Sequence, residues 1–228
     1  MRAALRAVAN VLITTGVLLV IDAGLTLLWQ EPITALYAQI HQNDLGGQLG
    51  RLDRRPPTPQ EATVLRILHA DSQRIAFLAR AFRRRAHDGQ AIGLIRIPHI
   101  HASYVVVEGT DSGALQKGPG HYPATPFPGM PGTVAIAGHR TTYLAPFNKL
   151  DQLRKGDTVE LDMPYAAVVY RVEMTRIVDP GALWITRRAG YDRLVMTACH
   201  PKYSAAKRIA IFARQVSEAP RGASARIR

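Results

Sequence analysis

The chain has 228 residues, enough for one substantial core and one or two domains. Apolar residues make up 47% and charged residues 20%, a globular mixture that excludes wholesale disorder. Twenty-nine basic against 17 acidic residues give a formal charge of +12, a balance that raises nucleic acid as a partner.

The N-terminus argues against that partner. From Ala7 to Trp29 the chain is almost continuously apolar, with Asp22 its one charge. At about 1.5 Å per residue, a helix of this length crosses roughly 30 Å of hydrocarbon. Arg2 and Arg6 precede the run, and the nearest charge after it is Glu31. The positive-inside rule therefore puts the N-terminus in the cytoplasm and the rest of the chain outside, with Trp29 at the outer interface. Asp22 sits near the outer end, where water reaches it. A cleaved signal peptide is the rival reading; the run is longer than a usual apolar signal core, and Leu27-Leu28-Trp29-Gln30 is a poor small-residue cleavage site. The expectation over residues 1–30 is an uncleaved, single-pass cell-membrane anchor. For an exported basic domain, anionic lipid or anionic wall polymer fits better than nucleic acid, with a plainly solvated basic face as the alternative.

Residues 31–60 are rich in Gly, Gln and Pro and end in Arg54-Arg55-Pro56-Pro57-Thr58-Pro59, which reads as a partly stiff linker. Over 61–88 the recurrence of Val64, Leu68, Ile75, Leu78 and Phe82 predicts one basic amphipathic helix. Arg83-Arg84-Arg85 falls in its last turn, where cations suit the helix dipole, and Gly89 stops it. From Ala91 the texture is strand-like: Ala91–Pro98, Ser103–Glu108, Thr133–Gly138, Thr158–Met163, Ala166–Thr175, Leu183–Thr186, Arg193–Cys199 and Arg208–Arg214 are separated by Gly, Pro and Asp turns. Many short strands without regular intervening helices predict an antiparallel barrel or sandwich over 89–217. The tail, 218–228, with Gly222 and Ser224 among arginines, reads as disordered.

The chain has one cysteine, Cys199, in Val195-Met196-Thr197-Ala198-Cys199-His200-Pro201. It has no partner for an internal disulfide, and a lone cysteine is often just a buried hydrophobic thiol. Its company points to a reactive one. Ala137-Gly138-His139-Arg140 closes the apolar run that starts at Thr133, and Arg208 opens Ile209-Ala210-Ile211-Phe212. A thiolate attacks a carbonyl, an imidazole moves protons, and a guanidinium steadies the oxyanion, so Cys199, His139 and Arg208 suffice for thioester chemistry if the fold converges them. Pro201 lacks a backbone donor and favours ending the ladder just after the thiol.

These residues resemble the sortases, membrane-anchored cysteine transpeptidases of Gram-positive bacteria. A histidine after an apolar strand, a Thr-x-Cys at a strand end and an arginine on the next strand occur here in that order as Gly138-His139, Thr197-Ala198-Cys199 and Arg208. Lys117-Gly118-Pro119-Gly120-His121-Tyr122, Ala137-Gly138-His139-Arg140-Thr141-Thr142-Tyr143, Ala145-Pro146-Phe147 and Cys199-His200-Pro201 extend the likeness to the actinobacterial class E type. Ala198 departs from the family, which usually has threonine before the cysteine. The resemblance covers roughly Ala91 to Arg214 and implies a mainly β fold, an eight-stranded sortase-type barrel. It implies that Cys199 attacks the threonine carbonyl of a Leu-Pro-x-Thr-Gly-like or Leu-Ala-x-Thr-Gly-like sorting signal on a secreted protein. An amine on a peptidoglycan precursor or a pilin then resolves the thioester. It assigns His139 as general acid and base, Arg208 to the oxyanion or substrate backbone, and Tyr143, His121 and Thr197 to substrate binding, the alternatives being packing beside the loop for Tyr143 and a structural hydrogen bond for His121. No acidic cluster of calcium-site spacing appears, so no metal and no cofactor are expected.

Other readings compete. A papain-like protease would place its cysteine before its histidine. Ser112, in Gly109-Thr110-Asp111-Ser112-Gly113, lacks nucleophile-elbow spacing. His99 and His101 alternate on a strand-like segment without an evident third metal ligand. The alternatives in function are a non-catalytic, membrane-tethered module that binds wall polymer, and a sortase-fold enzyme that only hydrolyses.

Overall fold

The computed structural model describes residues 2–28 and 32–223. Trp29, Glu31 and the tail from Ser224 lie outside the described residues. Helix α1 (Arg2–Leu28) contains Ala4–Gly24, the one stretch among the described residues long and apolar enough to cross a membrane. Its side chains from Leu5 to Ile21 stand exposed, as a lipid-facing helix requires.

The expected linker is instead mostly helix α2 (Pro32–Arg54). Tertiary contacts make it so. Leu45 and Leu49 are buried against Ala91, Val105, Val107 and Ala114, and Ala38 continues the same buried stripe. The Gln42 amide donates to the carbonyls of Val105 (3.1 Å) and Lys117 (2.7 Å) and accepts from the Val105 amide (2.8 Å). Packing of this kind outweighs the poor helix propensity of Gly46, Gly47 and Gly50.

The single helix expected over 61–88 is two, α3 (Pro59–Ile67) and α4 (Asp71–Arg83). Thr58 caps α3: its hydroxyl accepts from the Glu61 amide and the Glu61 carboxylate accepts from the Thr58 amide, with Arg85 on the other carboxylate oxygen. Leu68 takes an extended conformation, and Asp71 starts the second helix with its carboxylate in the first turn. The break lets Leu65 join Ile75, Leu78 and Phe82 in one core.

Eight strands form a closed barrel in the order β1-β2-β3-β4-β7-β8-β6-β5, with β5 returning to β1. They are β1 (Ala91–Ile97), β2 (Ala102–Glu108), β3 (Gly120–His121), β4 (Thr133–Ala137), β5 (Thr158–Asp162), β6 (Ala166–Val178), β7 (Arg193–His200) and β8 (Lys207–Pro220). Short helix α5 (Ser112–Lys117) joins β2 to β3. Seven of the expected strand segments are strands. Leu183–Thr186 is not: it closes as a 3-10 turn, with the Thr186 hydroxyl on the Leu183 carbonyl at 2.8 Å. The eighth strand is the two-residue β3, too short to carry a period-two pattern. Strand β8 runs through Pro220, so the start of the expected disordered tail is paired with β6. Alternate residues fill the interior: Val134 and Ile136 on β4, Leu194, Met196 and Ala198 on β7, Ile209, Ile211 and Ala213 on β8.

Candidate active site

The interior alternation fixes what lies outside. On β7 and β8 the opposite face carries Val195, Ala210 and Phe212, packed with Val178 and Ile185. The antiparallel register pairs Val195 with Phe212, Thr197 with Ala210 and Cys199 with Arg208. Direct partners in such a ladder share a face. Cys199 and Arg208 therefore stand side by side on the outer face, at the rim where β7 ends.

Strand β4 lies parallel to β7 on the other side, with Ala135 opposite Val195 and Ala137 opposite Thr197. The Gly138 amide continues the ladder to the Thr197 carbonyl at 3.0 Å. His139 follows two residues after Ala137, whose partner Thr197 precedes Cys199 by two. Cys199 and Arg208 thus sit at the ends of β7 and β8, and His139 lies just beyond the end of the neighbouring β4. Gly138 is required there, because a Cβ at that position would meet the Phe147 ring at 2.5 Å.

His139 is partly buried, its ring 5.0 Å from that of Tyr143, and burial holds its pKa below the usual imidazole value. It is neutral at neutral pH and able to accept a proton. Arg208 is half-buried and donates to the carbonyls of Ala205 and Lys207, both at 3.0 Å. A cleft of about 350 Å³ opens on Cys199, lined by Arg140, Thr141, Thr142, Tyr203, Ser204 and Ala205. Tyr143 borders the loop that forms one wall, in a turn where Tyr143, Leu144 and Ala145 all have positive φ (50°, 63° and 40°). Three such residues in succession are strained and need holding from outside. The Tyr104 hydroxyl donates to the Leu144 carbonyl (3.3 Å), and Thr34 on α2 accepts from the Tyr143 amide (3.5 Å).

Two of the residues expected to bind substrate are buried. His121 is fully buried: Nδ1 meets the Glu108 carboxylate at 2.8 Å and Nε2 faces the Thr125 hydroxyl (2.9 Å) and the Pro126 carbonyl (3.1 Å). These contacts brace β3 inside the barrel. Thr197 shares the outer face of Cys199 but is buried under Tyr122, whose phenol meets its hydroxyl at 3.0 Å. Ala198 points into the barrel with Leu194 and Met196, away from the thiol, so this departure from the family does not reach the cleft. His99 lies within a 3-10 turn (Pro98–Ile100) and His101 follows it; His99 meets Asp157 at 3.2 Å, and no cluster of three metal-ligating residues exists among the described residues.

The sequence reading missed Arg140. Only 3% exposed, its guanidinium donates to His200 Nδ1 (2.9 Å) and to the carbonyls of Cys199 and Asn148 (3.4 Å each), and pairs with Asp151 at 2.9 Å. The Asn148 amide donates back to the Arg140 carbonyl at 2.8 Å, and Lys202 donates to Asn148 Oδ1 at 2.9 Å. One buried cation thus ties the loop after His139 to the strand end that bears the thiol. Its place beside His139 in the sequence was the available signal.

Comparison with known proteins agrees with this geometry. A family description, Sortase domain, matches residues 95–216. The chain belongs to the sortase family. It is 37% identical to sortase D of Bacillus subtilis over 133 residues, 57% of this chain and 66% of that protein. Sortase SrtE1 of Streptomyces coelicolor is 26% identical over 153 residues, 58% of this chain and 42% of that protein. This chain therefore spans less than two thirds of the length of either sortase. The crystal structure of SrtE1 with a tripeptide in its active site superposes at a TM-score of 0.55, with 25% identity over 58% of this chain and 91% of the crystallised one. The SrtF sortase of Corynebacterium diphtheriae superposes at 0.56, with 26% identity over 60% and 90%.

Proposed function

We propose that this sortase is a membrane-anchored cysteine transpeptidase. The observation that supports the reading is the register that pairs Cys199 with Arg208 and sets the end of β4, two residues before His139, beside the Cys199 strand. The thiol of Cys199 passes its proton to the neutral imidazole of His139, and the thiolate attacks the threonine carbonyl of a Leu-Pro-x-Thr-Gly-like or Leu-Ala-x-Thr-Gly-like signal. Arg208 leaves the loop carbonyls of Ala205 and Lys207 to donate to the tetrahedral oxyanion or the substrate backbone. As the C–N bond breaks, His139 gives its proton to the leaving amine, and the thioester remains. An amine of a peptidoglycan precursor or pilin subunit then attacks; His139 takes its proton, the C–S bond breaks and the thiol is restored. Tyr143 borders the pocket that receives the signal.

The domain works outside the cell, its N-terminus in the cytoplasm, because Arg2 and Arg6 stand at the N-terminal end of the apolar run and its far end has no matching basic pair. The SrtE1 complex, in which that enzyme holds a tripeptide in its active site, supports a peptide substrate. The test is to incubate the full chain in detergent with both signal peptides and a glycine or diaminopimelate acceptor, and to follow products by mass spectrometry. A ligated product absent from Cys199→Ala supports the reading. Cleavage without ligation under every acceptor favours a hydrolase, and no reaction in a folded chain favours the wall-binding module.

A further inference from the structure

Helix α2 presents two faces with different destinations. Ala38, Leu45 and Leu49 are buried against the barrel side, with Gln42 bonded to its backbone. The opposite stripe begins with Leu36 and Ile40, 65% and 54% exposed, with Tyr37 beside them at 43%. One turn further on, the same stripe changes to exposed Asn43, Asp44 and Gly47. Exposed apolar residues are thus confined to the start of α2, a place that packing against the barrel does not explain.

That start is next to the membrane span. Leu28 ends α1 and Pro32 begins α2, and four residue steps of at most about 3.6 Å each keep Pro32 within about 15 Å of Leu28. A helix that leaves the bilayer, shows branched aliphatic side chains and a tyrosine for its first turns, and then becomes polar has the pattern of an interfacial element. The same turns also touch the active-site loop. Thr34 accepts from the Tyr143 amide, the rings of Tyr37 and Tyr143 are 6.4 Å apart, and Tyr143 lies 5.0 Å from His139.

We infer that the first turns of α2 seat in the headgroup–acyl boundary of the bilayer through Leu36 and Ile40, and so hold the His139–Tyr143 side of the cleft against the membrane surface. The inference rests on the reading of α1 as a membrane span. Its consequence is a preference for substrates delivered at that surface: a sorting signal still tethered by a hydrophobic tail, or an acceptor amine carried on a lipid.

The test uses the full chain in mixed phosphatidylethanolamine and phosphatidylglycerol vesicles, with Cys199→Ala as the background for spin labels at Leu18→Cys, Leu36→Cys, Ile40→Cys and Lys155→Cys. Labels at 36 and 40 should be reached by lipid-soluble oxygen in preference to a water-soluble nickel chelate, as at 18, while 155 shows the reverse. In the active chain, Leu36→Glu with Ile40→Glu should lower turnover of a vesicle-tethered signal about tenfold and leave a soluble signal peptide within about twofold, since a charged side chain disfavours the interfacial seat but lies outside the chemistry. Water-like labels at 36 and 40 beside a lipid-like label at 18 would overturn the inference and leave the anchor standing. A water-like label at 18 would overturn both. Spin–spin broadening at 36 and 40, with neither reagent reaching them, would assign the face to a second copy and also overturn it. Equal loss on tethered and soluble substrates would show damage to the cleft, contrary to the inference.

Discussion

Arg140→Met removes a buried cation while keeping a side chain of similar length to fill its channel. The losses can be apportioned from the contacts. The bond to His200 Nδ1 at 2.9 Å has a charged donor and is worth about 1.5–3 kcal/mol. The pair with Asp151 counts for less, under about 1 kcal/mol, because the Asp151 side chain is 46% exposed and water replaces the partner. The contacts to the Cys199 and Asn148 carbonyls, at 3.4 Å each, are long and add little. A total near about 3 kcal/mol corresponds to a fall in Tm of about 6–12 °C for a chain of this size. The effect on turnover is larger than that on binding. The loop after His139 loses its tie to the thiol-bearing strand end, and displacement of a reacting group by about 1 Å costs about a hundredfold in rate. Urea unfolding and steady-state kinetics below the melting range separate the two effects: kcat should fall far more than KM rises. Arg140→Lys should regain only part of both, since an ammonium cannot reach His200 and Asp151 together. A Met variant within about 1 kcal/mol of the parent and equal to it in kcat would refute the positioning role.

Burial holds the His139 pKa below 6.5, so the neutral base persists to lower pH than for a free imidazole, and the acid limb of kcat/KM should lie below pH 6.5. Tyr143→Ala admits water and should move that limb up towards 6.5; an unmoved limb would deny that Tyr143 shields the ring. The same burial contributes stability above the unfolded value, about 6.5, which is lost as pH falls through the lowered folded value. Gly138→Ala drives a methyl into Phe147 and should cost about 1–3 kcal/mol by denaturant titration, with parental stability as the refuting result. Glu108→Ala orphans His121 Nδ1 and should cost about 3–5 kcal/mol, whereas Glu108→Gln, which can donate to a neutral ring, should cost under about 1.5; equal losses would show that hydrogen bonding at Nδ1 is not what matters.

The strands that carry the proposed trio were legible from local patterning: Thr133–Ala137, Arg193–His200 and the run opened by Arg208 are all strands. What brings those strands side by side is a parallel β4–β7 pairing, which no local pattern encodes. Helix α2 was illegible for a related reason. Its glycines and glutamines read as linker, and what makes it helical is Gln42 bonding to Val105 and Lys117, 63 and 75 residues away. Leu183–Thr186 has strand-like composition, yet it follows an Asp179-Pro180-Gly181 turn and folds back so that Trp184 stacks on Phe212, with ring centroids 6.2 Å apart. A structural hydrogen bond was one reading of His121, and its partner Glu108, 13 residues earlier, is visible only in the fold. The arginine beside His139 was quoted within a motif; its worth lies in Asn148, Asp151 and His200, brought to it by two loops.

On the mechanism proposed above, Cys199 forms a thioester with a sorting-type peptide under the control of His139 and Arg208. The most direct measurement is intact-protein mass spectrometry of the full chain mixed with signal peptide and no amine acceptor, quenched in acid, beside Cys199→Ala, His139→Ala and Arg208→Ala. The expected result is an acyl adduct that maps to Cys199, is released by hydroxylamine, is absent from the Cys199 variant and is strongly reduced in the other two. Peptide cleavage that persists in Cys199→Ala, or full adduct formation without His139 or Arg208, would contradict it.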